Sequence, residues 1–227
     1  MKKKTQRSLW IAAGLLAAFA VWTVLVGVVD EQPIGPLHSS VGFATLNGRV
    51  RDLIGVHMSL YTLTDWLSLI PIAVVMAFAA FGLAQLIKRR SVLRVDGDIL
   101  ALGAFYIAVA AAFLLFECVA LNYRPVLIEG RLEASYPSST TMLVMCVMPT
   151  AAIQLRERIK RPVIRRIAII VIAAFTAFMV IGRVVSGVHW ITDIIGGILL
   201  SAGLVTAYDG VRGLNGSKKT TVREKND

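Results

Sequence analysis

The 227 residues are 56% apolar and 17% charged, with a mean hydropathy of +0.71, whereas soluble domains carry about a quarter charged residues. That balance excludes disorder, a disulfide framework and an ordinary soluble enzyme. The 24 Lys and Arg against 14 Asp and Glu leave a formal charge of +10, but they sit in short blocks between long uncharged runs, so membrane lipids are the expected partners and nucleic acid is not.

A helix needs about 20 mostly apolar residues to cross the hydrocarbon core. Runs at 8–29, 66–87, 99–116 (continuing past Glu117), 138–155, 167–182 and 190–208 meet or approach that length. They predict an all-α polytopic bundle of six transmembrane helices, one domain over 1–208, followed by a polar cytoplasmic tail at 209–227 that frays. The first run follows the basic segment 1–7, yet its length favours a retained helix over a cleaved signal peptide.

Lys and Arg near span ends stay on the cytoplasmic side. Nineteen of the 24 fall in the N-terminal segment, around 88–94, in 156–166 and in the tail, leaving Arg49, Arg51, Arg124, Arg131 and Arg183 opposite. Both termini are therefore expected in the cytoplasm of a plasma (inner) membrane protein, with segments 30–64, 122–137 and 183–189 facing outward. Within the first of these, Phe43, Leu46, Val50, Leu53 and Ile54 recur at helical spacing. An amphipathic helix in the headgroup layer fits that pattern, and so does a loop packed over the end of the bundle. Cys118 and Cys146 lie in apolar runs and read as small core residues, with neither a disulfide nor a metal site implied.

An ionisable group costs about 2–3 kcal/mol at the centre of a span, so each one needs a reason. Glu117, Arg124, Arg183, His189 and Asp193 all fall near the outward boundary, as do Ser138, Ser139, Thr140 and Thr141. His189 and Asp193 are four residues apart, one turn on one helical face, so the carboxylate can hold one ring nitrogen and leave the other for a substrate. Arg124 precedes Pro125, which biases it to an extended backbone. Two guanidiniums supply planar, permanently charged forks for phosphate oxygens. The segment 138–140, just after Pro137, reads as a helix N-terminus whose free amides favour an anion. Each part alone has a plain structural reading as a packing pair, an interface anchor or a cap. Together on one membrane face they are what phosphoryl transfer through a histidine nucleophile requires.

The segment from Arg183 through His189 to Asp193 resembles the third signature of the type 2 phosphatidic acid phosphatase family: Arg, five residues, His, three residues, Asp, with Gly196-Gly197 trailing. Asn122-Tyr123-Arg124-Pro125 resembles the end of that family's first signature, and Tyr136-Pro137-Ser138-Ser139 the start of its second. The resemblance spans about residues 30–208. It implies hydrolysis of a lipid-linked phosphate or diphosphate at the extracytoplasmic face, without metal or cofactor. By the same resemblance His189 would form a phosphohistidine, Asp193 would orient it, and Arg124, Arg183 and the amides near Ser138 and Ser139 would grip the phosphate.

Ser139 and Gly182 are mild departures from the family pattern, standing where it has Gly and Ser, and two further departures are strong. Glu117 stands where the family has Lys, and Thr140 where it has the His that protonates the leaving oxygen, a role worth about 10²–10⁴-fold in rate. Glu117 then reads as a substitute acid or as a partner of Arg124 or Arg183, with His57 a spare imidazole. A leaving group that needs little protonation, such as a diphosphate, also fits. The alternative is a degenerate member that binds, transports or transfers phospholipid without appreciable hydrolysis.

Overall fold

The computed structural model describes residues 2–223; the last residues of the expected tail, 224–227, lie outside it. Its helices are α1 (Lys2–Val28), α2 (Ala44–Ile54), α3 (Met58–Leu67), α4 (Leu69–Arg89), α5 (Gly97–Cys118), α6 (Ser139–Arg158), α7 (Pro162–Val185) and α8 (Ile191–Arg223). Among the described residues β structure is limited to three isolated bridges. Among the described residues, five stretches are long and apolar enough to cross a membrane: Thr5–Val28, Met58–Arg89, Gly97–Cys118, Pro162–Val185 and Ile191–Gly213. The architecture is that of an all-helical, multi-pass membrane protein.

The fourth expected span, α6, is not among those five. It forms as a 20-residue helix, but Thr140, Thr141, Thr150 and Gln154 lower its hydropathy, and all four are buried. Their partners explain why a polar helix is tolerated inside the bundle. Thr150 donates to the Cys146 and Val147 carbonyls (2.7 and 2.9 Å) and lies 3.2 Å from the Tyr106 hydroxyl. Gln154 donates to the Tyr208 hydroxyl. The outer helices α1, α4, α5 and α7 instead turn large apolar side chains such as Val24, Met76, Ile107 and Ile170 outward, where a bilayer accepts them.

Close backbone approach holds α8 in the middle. It packs along α1, α5 and α6. A Cβ at Gly203 would come within 2.8 Å of Leu16, and one at Gly196 within 2.6 Å of the Tyr136 ring. That second contact seats α8 against the loop that leads into α6.

The second span begins earlier than the apolar run at 66–87 suggests. Met58–Leu67 is already helical, and the chain bends at Ser68, where Ser68 Oγ donates to the Asp65 carbonyl at 2.5 Å. Pro71, in the first turn of α4, has no N–H to donate to the preceding turn, which permits the bend. Asp65 is therefore a helix residue rather than the end of a loop.

Residues 30–57 form a lid over this end of the bundle, with α2 as its helix. Asn47 is buried and donates to the Gly42 carbonyl (2.8 Å) and the Thr192 hydroxyl (3.0 Å), while Leu46 and Leu53 face outward. One face of this segment packs down on the bundle end and the other stays apolar and exposed. Cys146 is buried as expected, but Cys118 is exposed at the C-terminal end of α5, which corrects its reading as a core residue.

Candidate active site

Three elements converge beneath the lid: the loop 122–138, the N-terminus of α6, and the turn joining α7 to α8. Gly187 makes that turn possible. It has φ +67°, and a Cβ there would lie 1.9 Å from the Gly55 carbonyl oxygen. The His57 amide donates to the Ser186 carbonyl at 2.9 Å beside it. The turn delivers His189 into the bundle end, where it is buried.

Arg124 Nη1 lies 3.2 Å from His189 Nε2. A guanidinium only donates, so Nε2 is the acceptor and the ring proton belongs on Nδ1. Asp193 Oδ2 lies 3.9 Å from Nδ1, beyond hydrogen-bond reach. Asp193 is itself held firmly, by Asn122 Nδ2 (3.2 Å) and by the Trp190 amide (3.0 Å). Burial, then Arg124, then Arg183 hold the His189 imidazole well below the usual histidine range, so the ring is neutral near pH 7.

Arg183 is 1% exposed. Its Nη2 donates to Asp65 Oδ1 at 3.0 Å and also to Thr140 Oγ1. Gly182, just before it, lets α7 approach α3 so closely that a Cβ would meet Thr64 at 2.7 Å. Arg124 forms its own ion pair, Nε to Glu133 Oε2 at 3.0 Å. The Tyr61 ring sits under both guanidiniums, 4.9 Å from Arg183 and 5.8 Å from Arg124. Like charges brought to one ring are tolerated because its face and two carboxylates offset them.

Several buried donors in these elements have no partner within the protein. Arg183 Nε and Nη1, Ser138 Oγ and Thr141 Oγ1 are buried without hydrogen-bond partners. Each such group costs about 1–3 kcal/mol. The Ser138 amide, one of those expected to hold an anion, is engaged by the Asp193 carbonyl at 3.1 Å. The available amides are those of Ser139, Thr140 and Thr141, which begin α6 and have no carbonyl one turn back.

Glu117 is exposed and, among the described residues, forms no ion pair with Arg124 or Arg183. Those cations are taken by Glu133 and Asp65. Glu117 lies instead at the rim of a small pocket that it shares with Arg124, Glu133, Ser135 and Ser139. His57 is also outside the cluster, its Nε2 3.0 Å from the Ile54 carbonyl. Sequence reasoning missed Asp65, Tyr61 and Glu133, and named Asn122 without giving it a role. A signal existed for the first two: Tyr61 and Asp65 are four residues apart, and an acid directly before a long apolar run invites the question of what it faces.

From Asp65, Ser139 and Thr140 a groove of about 430 Å³ runs between α4, α5 and α6, lined deeper by Tyr106, Phe113 and Val147. A second apolar cleft of about 630 Å³ between α4 and α5 shares Val75 and Tyr106 with it.

Fold and site thus define a multi-pass membrane protein with a buried histidine beside an arginine, and a second buried arginine close by, at one end of the bundle. A sequence model of the PAP2 superfamily matches residues 118–211, starting just after Glu117, and bears out the resemblance drawn from the signatures. A crystal structure described as the first transmembrane PAP2 type phosphatidylglycerolphosphate phosphatase, from Bacillus subtilis, is similar in fold. Its TM-score is 0.62 at 16% identity, over 89% of this chain and 96% of that one. No curated protein sequence matches this chain at a significant level.

Proposed function

We propose that the protein is a membrane lipid phosphate or diphosphate phosphatase working through a phosphohistidine on His189. The observation that carries this reading is the Nε2 lone pair of His189, aimed at Arg124 3.2 Å away. An anionic phosphate placed there meets a neutral nucleophile on one side and two guanidiniums around its oxygens. The Arg183 donors that lack partners, with the first amides of α6, supply the further hydrogen bonds a phosphoryl group accepts.

His189 attacks phosphorus through Nε2 and the P–O bond to the lipid breaks; water then releases phosphate and restores the imidazole. Asp193 stabilises the ring as it gains charge, and its 3.9 Å separation from Nδ1 shortens once the ring becomes cationic, as catalytic contacts commonly do on substrate binding. The apolar groove leading from Asp65 and Thr140 suits a lipid tail. These steps draw only on protein groups, so no metal is assigned to them.

In this reading α6 is a sixth span, shielded from lipid by its neighbours, and the site lies on the extracytoplasmic side. Support comes from charge. The end of the bundle opposite the site carries Arg89, Arg94, Arg156, Arg158, Lys160 and Arg161, and basic residues are retained on the cytoplasmic side.

The test is phosphate release by the detergent-purified protein from phosphatidic acid, phosphatidylglycerol phosphate and a polyprenyl diphosphate, with and without chelator. Release that survives chelation and is abolished in His189→Ala is expected. Equal inertness of both proteins across the panel rejects the enzyme and favours a protein that binds or moves phospholipid.

A further inference from the structure

Breaking an alkyl phosphate ester leaves an alkoxide, which departs readily only if an acid protonates it. Thr140 cannot be that acid near pH 7, since its hydroxyl does not titrate there. The titratable carboxyls around the pocket are Asp65, Glu117, Glu133 and Asp193. Asp193 lies behind the nucleophile, held by Asn122 and Trp190. Glu133 is bound to Arg124, the cation on the nucleophile's own side. Glu117 touches neither arginine.

Asp65 differs in three respects. It shares one nitrogen of Arg183, Nη2, with Thr140, so its carboxyl stands beside position 140. It belongs to Arg183 rather than to the arginine in contact with His189 Nε2. In-line displacement expels the leaving oxygen away from the attacking nitrogen, which favours an acid that is not tied to the Arg124–His189 contact. Finally, Asp65 and Thr140 both line the mouth of the apolar groove, and the oxygen joining a phosphate to a lipid tail in that groove must pass them. Asp65 is also accessible, its side chain 57% exposed, which lets it exchange protons with solvent.

We propose that Asp65, on α3, is the acid and base for the leaving oxygen and the incoming water, in the role position 140 cannot fill. The bound phosphate takes Arg183 from Asp65, whose freed carboxylate picks up a proton from solvent. In the first step the Nε2 lone pair forms the N–P bond. The P–O bond then breaks with its electron pair moving to the lipid oxygen, and the Asp65 carboxyl gives that oxygen the proton. In the second step the resulting carboxylate takes a proton from water as the water oxygen bonds phosphorus. The N–P pair returns to Nε2, and Asp65 is again protonated for the next turnover. The inference rests on the phosphatase reading.

Asp65→Asn tests it, because the amide oxygen keeps the contact with Arg183 while losing the titrating proton. The two probes are phosphatidic acid, whose alkoxide needs a proton, and 4-nitrophenyl phosphate, whose phenolate does not. The expected result is a fall of about 10²–10⁴-fold in the ratio of the two kcat/KM values, with Asp65→Glu restoring part of it. If Asp65→Asn slows both esters equally, or neither, Asp65 is only a support for Arg183 and the inference fails while the phosphatase reading stands. A wild-type protein inert toward both probes overturns the two together.

Discussion

Replacing Arg124 by Gln removes a fixed cation while keeping a polar side chain of similar reach. In the structure Arg124 contacts His189 Nε2 at 3.2 Å, pairs with Glu133 at 3.0 Å and lies over Tyr61. Two charge-assisted hydrogen bonds to a phosphate, at about 1.5–3 kcal/mol each, amount to about 3–6 kcal/mol. At 1.36 kcal/mol per tenfold this is a loss of roughly 10²–10⁴ in kcat/KM. A second consequence is independent of that loss. After burial, Arg124 is the largest influence depressing the His189 pKa, with Arg183 next. Without Arg124 the pKa rises, while burial and Arg183 still hold it below the ordinary value of about 6.5. Only the neutral imidazole attacks, so activity is lost as pH falls through that pKa, and the acid limb of the kcat/KM profile should move to higher pH. Arg183→Gln should move it less. The assay is phosphate release between pH 4.5 and 8 with the best lipid substrate. An acid limb that stays in place or moves to lower pH in Arg124→Gln would refute the placement of the guanidinium beside the nucleophile.

Gly196→Val should cost about 1–3 kcal/mol by overpacking, because a Cβ there already meets the Tyr136 ring at 2.6 Å. Tyr136, 2.7 Å from the Thr23 hydroxyl, cannot retreat without disturbing the loop into α6, so thermal unfolding in detergent should come earlier and phosphate release should drop with it. Stability should also depend on pH through His189. Below about 6.5 the unfolded chain takes up a proton that the buried ring, with its lowered pKa, refuses. Stability conferred by the neutral ring is therefore present above that pH and is lost as pH falls toward the folded-state pKa. Relative to His189→Gln, the wild-type melting temperature should decline between pH 7.5 and 5; parallel curves would mean that the ring is not shielded.

Much of the helical layout is a local property, and local properties can be read directly from the order of residues. Apolar runs of spanning length mark α1, α4, α5, α7 and α8, since a helix that cannot leave lipid must satisfy its own backbone. The grouping of Arg124, Arg183, His189 and Asp193 is legible too, because a charge within an apolar run is costly and a four-residue spacing sets two side chains on one face. Harder to read are α6, whose buried Thr and Gln side chains depress its hydropathy, and α3, whose polar residues look like a loop until they are seen to face the pocket.

Sequence alone, then, determined that this chain is a bundle of membrane helices with a histidine, an aspartate and two arginines gathered at one end. Only the tertiary structure decided which carboxylate each arginine holds, that Asp65 meets Arg183 across 118 positions of chain, and that Asp193 stands at 3.9 Å from the ring it faces. Hydrophobic patterning acts over one or two helical turns, whereas an ion pair depends on where two helices cross. That crossing is set by close contacts such as Gly182 on Thr64, which no local pattern encodes.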